Sequence, residues 1–141
     1  MKIILGIDFG LKKIGIARSD LRGITPRPLF AIPREKFDEK IEEIKKEGWE
    51  ITSFVIGYPL NVDGSPGEII LKVEEFVKSH LIKYALPIYG VDERYSSIEA
   101  EEFLKKWPQI RKRHDDNSIA AVVILKRFLS SDKKYILKKW N

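Results

Sequence analysis

The chain has no cysteine, one methionine and two histidines in 141 residues. Without thiols there are no disulfides and no thiolate metal ligands, and two histidines make a His-rich zinc centre a poor reading. Any metal would rest mainly on oxygen ligands, the chemistry that suits Mg²⁺ or Mn²⁺. Long hydrophobic runs are missing as well. The opening MKIILGIDFG is short, carries Asp8 and lacks a small-residue cleavage site, so it reads as a strand and not as a signal peptide. No segment has the apolar length of a membrane span. Repeats, linkers and low-complexity tracts are also lacking. These absences give the expectation of one domain over residues 1–141, no membrane attachment, and a reducing, cytoplasmic setting.

What the chain does have is charge. Lys and Arg number 26 against 21 Asp and Glu, a net +5. Such a surface favours polyanions, although lysine-rich surfaces also occur in heat-stable proteins. Charge alone therefore leaves nucleic acid and plain solvation as equal readings.

The hydrophobic pattern gives the layout. Lys2 to Asp8 is an apolar run ending in an acid, and Lys13 to Ser19 is a second strand across the tight turn Gly10-Leu11-Lys12-Lys13. Leu29 to Ile32, between Pro28 and Pro33, is a third, so the chain opens as an antiparallel meander. The period then becomes helical. Phe37, Ile41 and Ile44 share a face, and Gly48 ends the segment. Ile51 to Ile56 is a β-branched strand. Ser65-Pro66-Gly67-Glu68 carries the signature of a helix start with a capping box, ahead of the apolar face Ile69, Ile70, Val73, Phe76, Val77 and Leu81. Leu86 to Val91 is a further strand. Ser96-Ser97-Ile98-Glu99 offers a second capping box, Lys105 to Arg113 is a basic loop around Trp107, and Asn117 to Leu129 is a final helix. Residues 133–141 read as a flexible basic tail. The order β-β-β-α-β-α-β-α-α predicts an α/β protein whose mixed five-stranded sheet, a meander followed by βα units, is flanked by helices. That is the layout of the ribonuclease H-like fold.

Three polar positions fall at element ends. Asp8 closes the first strand, Glu93 follows the Leu86–Val91 strand, and Asn117, preceded by Asp115 and Asp116, opens the last helix. With the first strand central, neighbouring strand ends and the first turn of a helix can meet. Carboxylates converging from separate elements are what metal-assisted phosphodiester cleavage requires. Divalent ions activate the attacking water and stabilise the leaving oxygen, and Mg²⁺ demands oxygen ligands in near-octahedral order. Taken singly, each position has a plainer reading as a turn, an ion pair or a helix cap.

The surroundings add phosphate chemistry. Glycines 6, 10 and 15 flank the turn beside Asp8 and permit close backbone approach to a phosphate. Gly57-Tyr58-Pro59-Leu60-Asn61 with Asp63-Gly64-Ser65 is a polar loop leading into a helix N-terminus. Asp92-Glu93-Arg94-Tyr95-Ser96-Ser97 gathers an acid, a guanidinium and two hydroxyls. Lys105, Lys106, Arg111, Lys112 and Arg113 are the strongest candidates for neutralising phosphates. Trp107 among them reads either as a base-stacking ring or, preferably, as a residue packed on the core.

Four of these blocks in this order carry a resemblance: Asp8-Phe9-Gly10 with Gly15-Ile16-Ala17; Gly57-Tyr58-Pro59-Leu60-Asn61 with Gly64-Ser65; Asp92-Glu93-Arg94; and Ala120 to Leu125. From Ile4 to about Leu129 the chain resembles the YqgF/RuvX family, Holliday junction resolvase-like proteins assigned to maturation of the small-subunit ribosomal RNA precursor. The resemblance implies a ribonuclease H-like nuclease with a Mg²⁺ or Mn²⁺ site at Asp8, Glu93 and Asn117. At the third position the family pattern usually shows Asp. Asn keeps a carbonyl ligand and removes a charge, so Asp116 becomes an alternative ligand and binding without cutting an alternative function. His114, three residues before Asn117, is a candidate ligand or proton carrier, with a surface histidine as its plain reading. Lys12, Lys13, Asn61, Ser65 and Arg94 join the basic loop as candidate nucleic-acid contacts. Expected partners are the 16S rRNA precursor or a pre-ribosomal particle, with branched DNA as the rival substrate, bound by a monomer or weak dimer. An actin-like phosphotransferase would need two such domains, more than 141 residues supply.

Overall fold

The computed structural model describes the whole chain, Met1–Asn141. Strands β1 (Lys2–Phe9), β2 (Lys13–Ser19) and β3 (Pro26–Pro33) form the antiparallel meander. Helix α1 (Phe37–Lys46) then leads to β4 (Glu50–Tyr58), and α2 (Ile70–Phe76) to β5 (Ile88–Asp92). Helices α3 (Ser96–Lys106) and α4 (Asp116–Leu129) follow, and β6 (Ile136–Trp140) closes the chain. The sheet order is β3-β2-β1-β4-β5-β6, with β4 parallel to both β1 and β5 and the other pairings antiparallel.

The mixed sheet with its leading meander is as expected; the strand count is not. Residues 133–141, read as a flexible tail, make a 3₁₀ turn over Lys133–Tyr135 and then β6. Side chains on a strand alternate between faces, which sends Trp140 inward, while the lysines at 138 and 139 masked the pattern in the sequence. Trp140 packs on Gly90, where a Cβ would come within 3.1 Å of the indole, and its Nε1 donates to Glu74 at 2.9 Å.

Helices cover both faces. On one, α1 and α2 bury Phe37, Ile41, Ile44, Val73 and Phe76 against Leu5, Ile7, Phe54 and Ile56. On the other, α4 lays Ala121, Val122, Ile124 and Leu125 over Ala17, Val55 and Val91. No helix is long and apolar enough to cross a membrane.

Both anticipated capping boxes fail. α2 starts at Ile70 with no side-chain cap, because Ser65 is held inside its own loop. α2 passes into a π turn over Val77–Leu81 and a 3₁₀ turn over Ile82–Tyr84, so the single helix read over this stretch is interrupted. Ser96 is the first helical residue of α3 and not its cap; that place is taken by Tyr95 in the left-handed region, φ 61°.

Candidate active site

The catalytic candidates gather at the C-terminal ends of β1 and β5 and the N-terminus of α4. Asp8 is the penultimate residue of β1, and Asn117 Nδ2 donates to its Oδ2 at 3.1 Å. Asn117 is held in the first turn of α4 by Asp115, the helix cap, whose Oδ1 accepts from the Asn117 backbone N–H at 3.0 Å. Lys13 at the start of β2 donates to the other oxygen of Asp115 at 3.2 Å. The cap therefore ties α4 to the turn that follows Asp8.

This placement depends on small residues in the sheet. A Cβ at Gly15 would overlap the Asn117 carbonyl, and one at Gly6 would stand 2.9 Å from Leu125 Cβ. These glycines let the backbone of α4 settle onto β1 and β2; for Gly6 and Gly15 the close approach is to a helix and not to a phosphate. Glu93 follows directly on β5, which β4 separates from β1. It reaches toward Asp8 across Gly57 of β4, where a Cβ would lie 2.5 Å from Glu93 Oε2. A side chain at either Gly15 or Gly57 would break the site.

Both acids are largely withdrawn from water. Burial raises the Asp8 pKa, partly offset by the hydrogen bond from Asn117. Glu93 is raised to about 7, first by burial and then by the charges of Asp8 and Asp92. Opposing this is Arg127 on α4, which is buried. Its Nη1 donates to the Asp92 carbonyl at 2.6 Å, and its Nε and Nη2 donate to Glu99 Oε1 at 3.0 and 2.8 Å. Tyr135 covers it, with the guanidinium 4.5 Å from the ring centroid. Arg127 thus locks the end of β5, which carries Glu93, to α3 and α4. Glu99, read as half of a capping box, serves as its partner.

The remaining candidates separate. Asp116 is exposed on the turn beside Asn117, and the His114 side chain is half-buried. Lys12 is exposed and Lys13 is engaged with Asp115. Asn61 and Ser65 bond to each other at 3.0 Å, and Ser65 also donates to Asp63 at 2.6 Å. They shape the loop after β4, which feeds no capped helix. Arg94 clamps Asp92 and donates to the Val62 carbonyl at 3.1 Å, fastening that loop to β5. Lys105, Lys106, Arg111, Lys112 and Arg113 are all exposed. Residues Pro108–Lys112 of this stretch form a 3₁₀ turn, not an irregular loop. Trp107, preferred above as a core residue, is 43% exposed.

Two largely buried carboxylates and an amide meeting at the strand ends of a mixed sheet that opens with a meander are the layout of a ribonuclease H-like nuclease. The RuvX family model, described as Holliday junction resolvase, matches residues 2–131, and the chain belongs to this family. It is 41% identical to the "putative pre-16S rRNA nuclease" of Sulfurihydrogenibium sp., over 92% of this chain and 90% of that one. A relative of the same name from Rhizobium rhizogenes is 40% identical, covering 86% and 77% respectively. Among solved structures, Thermus thermophilus RuvC bound to a Holliday junction superposes with a TM-score of 0.58 at 12% identity. That match covers 97% of this chain and all of that one, and it supports the fold.

Proposed function

We propose that this protein is a metal-dependent endonuclease that cuts structured RNA in the maturation of the 16S ribosomal RNA precursor. The observation that carries the reading is the meeting of Asp8, Glu93 and Asn117 from three separate elements. Burial raises both carboxylates, and the charge of Asp8 raises Glu93 further against only a partial offset from Arg127, which is the donor set a divalent cation would complete. Asp8 and Glu93 would hold Mg²⁺ or Mn²⁺, and the Asn117 carbonyl oxygen is free for the cation because its amide nitrogen serves Asp8. The cation would supply charge relief at the scissile phosphate and an activated water. Asn117 fixes the rotamer of Asp8. Arg127 fixes the strand end from which Glu93 projects. No group of three His, Cys, Asp or Glu side chains is placed to hold a metal ion, and the further oxygen donor beside the two acids is the Asn117 amide.

The test is Mn²⁺-dependent cleavage of a 16S precursor fragment. Asp8→Ala is expected to abolish cutting, and unchanged cutting would overturn the assignment. In the same assay Asn117→Asp, which adds a charge beside the cation, should lower the Mn²⁺ concentration needed for half-maximal rate. No change would remove Asn117 from the site. The RuvC likeness supports a second reading, cleavage of four-way DNA. Symmetric cutting of a synthetic junction by a dimer, with the RNA left intact, would select it.

A further inference from the structure

A second concave feature lies about 14 Å from Asn117, nine residues farther along α4 at 1.5 Å per residue. It is a half-open cleft of about 370 Å³ between the C-terminal end of α3, the outer side of α4 and the β2–β3 hairpin. Its lining combines Phe103, Lys106 and Trp107 from the end of α3, Ile24 and Pro26 from the hairpin, and Lys126 from α4. Ile24 is 62% exposed and Trp107 43% exposed. A large aromatic and an aliphatic lining one cleft and left in water cost hydrophobic free energy, and neither side chain takes part in the carboxylate site. Both lysines are exposed and lack ion-pair partners in the fold.

We infer that this cleft seats an unpaired nucleobase of the substrate strand, stacked on Trp107 with the flanking phosphates on Lys106 and Lys126. The inference rests on the nuclease reading for its substrate and on the cleft for its chemistry. A flat π-face rimmed by cations is the arrangement that holds single strands without reading their sequence. A duplex cannot present a base face to it without unstacking. Connectivity joins cleft and site: Lys106 and Trp107 lead through Arg111, Lys112 and Arg113 directly into Asp115, the cap of α4. A strand crossing the carboxylates would find exposed cations along this segment before its base reaches the indole. The one acid in the lining, Glu102, repels phosphate and can accept from a base N–H, including the ring N3–H of uracil. This fits a base inside the cleft and phosphates at its rim. The protein would thus prefer substrates in which a paired segment gives way to a single strand beside the cut.

The test is metal-free binding, in EDTA, of the full-length chain to a fluorescein-labelled 12-mer oligo(U) and to a blunt RNA duplex of the same length. Trp107→Ala should weaken oligo(U) binding about tenfold or more, leave duplex binding within twofold, and keep the parent far-UV circular dichroism. Trp107→Phe, which retains a ring, should restore most of the affinity. Lys106→Ala and Lys126→Ala should each lower the slope of log K against log salt by about 0.7 for oligo(U). Equal losses for single strand and duplex, or no loss in Trp107→Ala, would overturn the inference. So would a shift of the parent from dimer to monomer on Trp107→Ala, because the cleft would then be covered by a second copy. Cleavage is scored separately. Strand-selective binding with no cutting under Mn²⁺ would leave the cleft standing and remove the nuclease reading, and cutting without strand selectivity would do the reverse.

Discussion

Two carboxyl groups held near each other out of water are a cost to the folded state. The pKa shifts say when that cost is felt. Glu93 titrates near 7 in the fold against an ordinary 4.5. An acid whose folded pKa lies above its unfolded value binds more protons when folded, so the metal-free chain gains stability as pH falls from about 7 toward 4.5 and loses it as pH rises. The carboxylates whose pKa values are lowered, among them Asp20, Asp92 and Glu74, act in the opposite sense, but below their ordinary values near 4, outside this window. The melting temperature in EDTA is therefore expected to be higher at pH 5.5 than at pH 8. The difference should shrink in Glu93→Gln, which cannot ionise, and an unchanged difference would show that Glu93 is not the group responsible. Because a ligand that binds the native state stabilises it by mass action, Mn²⁺ should raise the melting temperature more at pH 8 than at pH 5.5. At this scale Asp8, Glu93 and Asn117 were legible because acids and amides at strand ends and helix starts stand out against apolar runs. Arg127 was not. It falls off the apolar stripe of α4, where a basic residue reads as solvated, and only the packing of α3 and Tyr135 over that side buries it. Trp107 was misread for the converse reason: an aromatic next to a helix end implies a core contact unless the neighbouring hairpin leaves the space open.

Elements place these residues, and the placement rests on how closely α4 approaches the sheet. Interiors are close-packed, and adding even one methyl where backbone already touches forces a shift that costs about 1–3 kcal/mol. At Gly15 the obstacle is the Asn117 carbonyl, which cannot rotate away as a side chain could. Gly15→Ala should therefore destabilise the protein by about 2 kcal/mol or more in urea unfolding, and should cut Mn²⁺-dependent activity further than the stability loss explains, by moving Asn117 off Asp8. Gly23→Ala is the comparison. Its Cβ meets nothing within 4 Å, although its φ of +69° still carries a backbone cost, so it should lose stability without a specific loss of activity. Parent-like activity in Gly15→Ala would show that the approach of α4 does not set the site. Five of the six strands and the major helices were legible because their apolar periods are strong, whereas β6, with lysines at two of its five positions, was not. The sequence pattern misjudges how the helices begin. A Ser-x-x-Glu pattern is only local, whereas Ser65 is claimed by Asp63 and Asn61 and Glu99 by Arg127, partners that tertiary contacts supply.

On the scale of the whole molecule, the sheet is completed by a strand that lies beyond the family match, which ends at residue 131. β6 covers the open edge of β5, the strand that carries Glu93, and fastens it through a polar knot. Glu74 of α2 accepts from Tyr58 of β4 at 3.0 Å, from Lys138 at 2.5 Å and from Trp140 at 2.9 Å. A half-buried carboxylate with three donors is well satisfied, and removing the donors leaves it desolvated without partners. Trp140 also fills the space over Gly90. Replacing a buried Trp by Ala typically costs about 3–5 kcal/mol, whereas Leu137, one strand position class away, is 41% exposed. Trp140→Ala is therefore expected to lower the free energy of unfolding in urea by about 3 kcal/mol, and Leu137→Ala by less than about 0.5 kcal/mol. Equal effects would mean that β6 does not hold its register against β5 in solution. The loss in Trp140→Ala should carry over to the site. With β5 less firmly held, the Mn²⁺ concentration needed to stabilise the chain should rise, because Glu93 is then offered to the cation from a strand end that is free to move.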